Sequence, residues 1–124
     1  MSLHQFKENE CLLTTQKHCP CVEFILGERD RHGFHSSQLL HYRLEANDGG
    51  GKDAPPEKLT IAFATADVTL TGWRLDRIAD NIRDGDFLAV RSLPARYANL
   101  DKTKCAVASI TVEPVGEGRN SDVT

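Results

Sequence analysis

Leu59-Thr-Ile-Ala-Phe-Ala-Thr-Ala-Asp-Val-Thr-Leu-Thr-Gly-Trp73, then Arg74-Leu-Asp-Arg-Ile-Ala-Asp-Asn-Ile-Arg83, then Asp84-Gly-Asp-Phe-Leu-Ala-Val90, is the stretch whose reading decides the fold. Its apolar period changes twice. Leu59, Ile61 and Phe63 alternate with Thr60, Ala62 and Ala64, and Val68 and Leu70 continue the alternation after Thr65-Ala66-Asp67, a turn or bulge. A period of two belongs to strands half-buried on one face. Leu75, Ile78, Ala79 and Ile82 then recur at helical spacing, one stripe of an amphipathic helix over 73–83. Arg77, Asp80 and Arg83 fall on its other side, and Asp84-Gly85-Asp86 ends it. Phe87-Leu88-Ala89-Val90 returns as a short, continuously apolar strand.

Downstream, Leu93 to Leu100 begins with a proline suited to a first helical turn and reads as a brief helix or an ordered loop. Cys105 to Glu113 is the last strand, with Ala106, Ala108, Ile110 and Val112 on one face. Upstream, Cys21 to Leu26 is rich in strand formers, closes on Gly27 and leads into a charged turn, Glu28 to Gly33. Residues 36–45 carry two signals. The serines favour a helix N-terminus, while Leu40, Tyr42 and Leu44 alternate with His41, Arg43 and Glu45; strand from about Leu39 is preferred. Asn47 to Glu57, glycine-rich at one end and proline-rich at the other, is a long hairpin loop.

Together these elements predict a single α+β domain over 18–115. An antiparallel sheet of five to six strands packs on one main helix, with closure into a small barrel as the further option. Residues 1–17 read as an N-terminal arm and 116–124 as a polar, disordered tail. At 124 residues one core suffices without metal or disulfide. Trp73, at the strand–helix junction, is expected to cap that core.

Composition narrows function more than it specifies it. A net charge of -3 with 6% aromatic residues disfavours a nucleic-acid partner. There is no apolar run of membrane-spanning length. The N-terminus lacks a basic segment followed by an apolar one, so the expected location is the cytoplasm, with the four cysteines as free thiols.

Chemistry-bearing residues concentrate in the first third. His18-Cys19-Pro20-Cys21 and the H-x-x-H pair His32/His35 hold thiol and imidazole donors of the kind zinc takes. One residue between two cysteines is not the usual knuckle spacing, so these are weak metal candidates and no metal is assigned. Cys-Pro-Cys as a redox pair lacks the helix N-terminus such dithiols use. No nucleophile elbow, phosphate loop or dinucleotide fingerprint is present, and no catalytic or cofactor-binding residue is assigned. The strand and helix order loosely resembles an OB-type barrel. That resemblance implies single-strand nucleic-acid binding, with Tyr42, Arg43, Arg91, Arg96 and Tyr97 as the stacking and cationic groups.

The preferred expectation is a small, cytoplasmic, non-catalytic binding or assembly module that acts as a homo-oligomer. It would pair through the edge of strand Leu40–Glu45 or of strand Ala106–Val112, with self or another protein as partner. An OB-like binder and a zinc-stabilised Cys19–His35 module are the alternatives.

Overall fold

The computed structural model describes residues 10–14, 21–27, 29–47, 54–85, 87–94 and 104–115. Eight strands and one α-helix follow in order: β1 (Leu12–Thr14), β2 (Cys21–Gly27), β3 (Asp30–His35), β4 (Leu39–Ala46), β5 (Glu57–Phe63), β6 (Ala66–Trp73), α1 (Asp76–Asp84), β7 (Phe87–Arg91) and β8 (Ala106–Pro114). They form two four-stranded sheets, β1-β7-β2-β3 and β4-β5-β6-β8, rather than the one sheet of five to six strands or the small barrel that the periodicity predicts. All pairings are antiparallel except β2 with β7.

The chain changes sheet three times, between β3 and β4, between β6 and β7, and between β7 and β8, where residues 95–103 lie outside the described residues; the first two changes have a local cause. A 3-10 turn at Ser36–Gln38 separates β3 from β4; its first free amide, on Ser37, donates to His35 Nδ1. The second is α1, which carries the chain from β6 across to β7. Parallel pairing of β2 and β7 requires a long crossover, which β3 to β6 and α1 together supply. Because β7 lies between β1 and β2, its Phe87, Ala89 and Val90 are buried, as the continuous apolar run implies.

The helix begins later than the 73–83 expected. Alternation continues through Trp73, which pairs with Ala106. Arg74 then takes a left-handed conformation, φ 56°, that turns the chain out of the strand. Leu75 has no capping side chain of its own, and the carboxylate of Glu57 accepts its backbone N–H at 2.7 Å. A negative group at a helix N-terminus also complements the helix dipole. Gly85, φ 80°, closes the other end by donating to the carbonyls of Asn81 and Ile82, a conformation that favours glycine. The expected stripe is present: Leu75, Ile78 and Ala79 are buried, and Ile82 is half-buried beside them.

Asp30 to Gly33, expected within a charged turn, instead form β3 together with Phe34 and His35. Their pairing with β2 places Phe34 opposite Val22 and His32 opposite Phe24, so apolar residues and charges alternate despite the polar composition. In β8 the expected alternation is broken. The register shifts between Thr71 and Gly72, and Val107 rather than Ala108 is fully buried. Gly72 permits this, since a Cβ there would be driven into the backbone carbonyl of Ala106.

The core lies between the sheets. Phe24 of β2 meets Phe63 of β5 edge-on at 5.9 Å, Phe87 of β7 at 5.7 Å and Phe34 of β3 at 6.0 Å, while Phe34 stacks on Phe63 at 4.3 Å. Leu59, Ile61, Val68 and Leu70 extend this cluster along the second sheet. Phe24 touches all three other rings and is completely buried. Truncation to Phe24→Ala should cost about 3 to 5 kcal/mol. Chemical denaturation should show that loss, whereas a cost near 1 kcal/mol would mean that the sheets do not depend on this ring.

Candidate functional site

The second sheet covers its two edges unequally. Beside β8, the Leu93 amide donates to the Val107 carbonyl at 2.9 Å, and the Val107 amide donates to Cys11 Sγ at 3.3 Å, so the first turn of that edge is occupied. Among the described residues β4 has no strand on its outer side. Its ladder with β5 runs without interruption from His41 to Ala46, with one irregularity between Leu39 and His41.

That irregularity reverses an expectation. Alternation places Leu40, Tyr42 and Leu44 on the buried face. In the structure Leu39 packs against the core, opposite Phe63, and Leu40 is the extra residue of a bulge. Leu40 is 53% exposed, and Tyr42 and Leu44, opposite Ile61 and Leu59, are each 37% exposed. These are the exposed large apolar side chains among the described residues. The core reaches β4 at Leu39 and thins along the rest of the strand. The other face carries His41, Arg43 and Glu45, with Glu45 4.0 Å from both Arg43 Nε and Lys58 Nζ.

Next to this edge lies an open groove of about 650 Å³, walled by Leu44, Ala46, Pro56 and Trp73 and by the charged Glu45, Glu57, Arg74 and Asp76. Trp73 is half-buried on this wall and does not cap the inter-sheet core.

A second cavity, of about 410 Å³, lies where β1, β8 and α1 meet, with Cys11, Cys105, Glu10, Arg77, Asp80 and Lys104 on its walls. Cys11 and Cys105 are both buried and free. Burial pushes the Cys105 thiol up to about 12, with neighbouring Cys11 adding to the shift and Arg74 and Arg77 opposing it. Burial likewise raises Cys11, against the Val107 hydrogen bond and Arg91. Both are therefore protonated thiols at neutral pH, poor nucleophiles and poor metal ligands. Nothing in the sequence pointed to this pair, because the two cysteines lie at opposite ends of the chain.

The metal candidates are only partly brought together. His18 and Cys19 lie outside the described residues. Cys21 opens β2 directly opposite His35 at the end of β3, so those two share a face. His32, three residues from His35 on an extended strand, is on the opposite face, the one that carries Phe24 and Phe34. Each histidine has a local partner, His32 to Asp30 at 3.1 Å and His35 to Ser37 at 2.7 Å. No group of three metal-ligating side chains converges among the described residues.

Of the residues offered for nucleic-acid stacking, Tyr42 and Arg43 lie exposed on β4. Arg91 instead stitches β7 to the start of β1 by donating to the Glu10 carbonyl at 2.8 Å. Arg96 and Tyr97 are outside the described residues. On the outer face of α1, Arg83 lies 3.1 Å from Asp84 and 3.7 Å from Asp80. Among the described residues no helix is long and apolar enough to cross a membrane. Comparisons with protein-family models, with curated proteins and with solved structures find no match to this chain, so a functional reading must come from these residues.

The thiol shifts carry a pH consequence. Cys105 binds its proton more tightly folded than unfolded, so its contribution is fully present below the ordinary thiol value of 9.0 and declines as pH rises toward about 12. Stability should fall by about 1.4 kcal/mol per pH unit over that window from this group. Urea unfolding of Cys105→Ala should show a shallower alkaline decline than the wild type; identical slopes would show that burial does not hold this thiol protonated.

Proposed function

We propose that the protein is a small, cytoplasmic, non-catalytic assembly module that acts as a homo-oligomer, and that β4 is the strand through which it assembles. One observation supports this above the rest: among the described residues, an eight-residue strand has no strand on its outer edge and has Leu40, Tyr42 and Leu44 exposed to water. Each feature alone is commonplace. Combined, they make a template for strand addition, in which backbone hydrogen bonds supply affinity and alternate side chains supply specificity. Natural sheets blunt such edges with short strands, prolines or inward charges. β4 has only the bulge at Leu40, which ends the regular ladder on one side and leaves His41 to Ala46 straight.

Of the two edges that the sequence nominates, β8 is the weaker candidate, because its first residues are already bonded to Leu93 and Cys11 and its Ile110 and Val112 are half-buried. The cavity with the two thiols offers no activated nucleophile and no histidine among its described walls, which favours a binding role over catalysis.

Leu44→Lys adds a charge at a half-exposed site, so it should leave the fold intact and weaken self-association at least about tenfold through repulsion and lost apolar contact. Sedimentation equilibrium of wild type and variant reads this directly. A wild type that stays monomeric at high micromolar concentration, or a variant that assembles equally well, would overturn the proposal.

A further inference from the structure

We infer that β4 accepts a second copy of this chain in one particular antiparallel register, with Leu44 on the two-fold axis. This rests on the assembly reading above and names its partner and geometry. With the axis normal to the sheet, each strand keeps the same face on the same side, and the axis must pass through a residue that faces itself. The side chains separate the four central positions, Tyr42 to Glu45.

An axis at Tyr42 would place Leu40 opposite the partner's Leu44, which looks favourable in the sequence. It would, however, require pairing across the bulge at Leu40, where the ladder is irregular. It would also set Glu45 against the partner's Leu39. An axis at Arg43 would put two guanidinium groups face to face, and an axis at Glu45 two carboxylates; like charges directly opposite are unfavourable.

An axis at Leu44 has none of these defects. It uses only the regular part of the strand, His41 to Ala46. Arg43 faces the partner's Glu45 and Glu45 faces the partner's Arg43, two opposite-charge pairs on the polar face. Leu44 faces the partner's Leu44 on the other face. Tyr42 faces the partner's Ala46, a wall of the groove that Leu44, Pro56 and Trp73 also line. The tyrosine thus reaches a cavity bounded by an aromatic ring, and the same contact repeats across the axis. The two second sheets join into one continuous sheet of eight strands, with β4 no longer an edge.

A charge-swap experiment on the full chain tests this register. In Arg43→Glu, carboxylates face carboxylates twice; in Glu45→Arg, guanidiniums do so twice. Each variant alone should dimerise roughly tenfold or more weakly than wild type. Mixed one to one, they restore both opposite-charge pairs, and native mass spectrometry should show the heterodimer in preference to either homodimer. Arg43 is exposed and Glu45 half-buried beside Lys58, and circular dichroism melts confirm that each variant is folded. A wild type that dimerises while both variants still form homodimers, with no preference on mixing, overturns the register and leaves edge assembly standing. A wild type that is monomeric throughout overturns the assembly reading and this inference together.

Discussion

Packing of the two sheets against each other through Phe24 is the constraint on which the rest of the structure depends. That ring meets Phe34 and Phe87 from its own sheet and Phe63 from the other, so the cluster fixes both the separation of the sheets and their lateral offset. The offset has a cost on one side. The first sheet and α1 bury β5 and β6 fully at Leu59, Ile61, Phe63, Val68 and Leu70, and cover β4 only in part, at Leu39 and where α1 approaches it. Exposed apolar residues on that strand are therefore a consequence of where the core sits.

The central segment was legible in the sequence because its signals are local. Strand alternation in Leu59–Leu70 and the helical stripe at Leu75, Ile78, Ala79 and Ile82 correspond to the observed elements, and the start of β4 near Leu39 matches the preferred strand reading. The later onset of α1 was not legible. It depends on Arg74 adopting a left-handed turn and on Glu57, distant in sequence, receiving the Leu75 amide. Pairing across long sequence separation was equally hidden. Glu28 to Gly33 has the composition of a turn, yet residues from Asp30 form a strand because β2 offers a partner and Phe34 has a cluster to join. Division into two sheets, with β7 returning to pair in parallel with β2 while β8 pairs with β6, is likewise encoded by no local period.

The candidate site shows the same division. Alternation of Leu40, Tyr42 and Leu44 was visible, and with it the edge strand. Full burial of that face was the inference that failed: Tyr42 and Leu44 keep the side of Ile61 and Leu59, but among the described residues α1 approaches β4 only in part and leaves them exposed. The bulge at Leu40 could not be read either, yet it decides which residues are regular enough to pair. For the first-third cysteines and histidines the limit is geometric: spacing of three on an extended strand separates His32 from His35 across the sheet, whereas on a helix it would have joined them. The two buried thiols, at opposite ends of the chain, meet only in the folded protein.

If β4 is the assembling edge, its outward amides should change solvent access with concentration while the rest of the second sheet does not. Hydrogen exchange followed by mass spectrometry, at protein concentrations below and above the association range, measures this directly. The account predicts slower exchange at the higher concentration confined to a peptide spanning His41 to Ala46, with peptides from β8 unchanged. Exchange in that segment that is independent of concentration, or concentration-dependent protection on β8 instead, would contradict it.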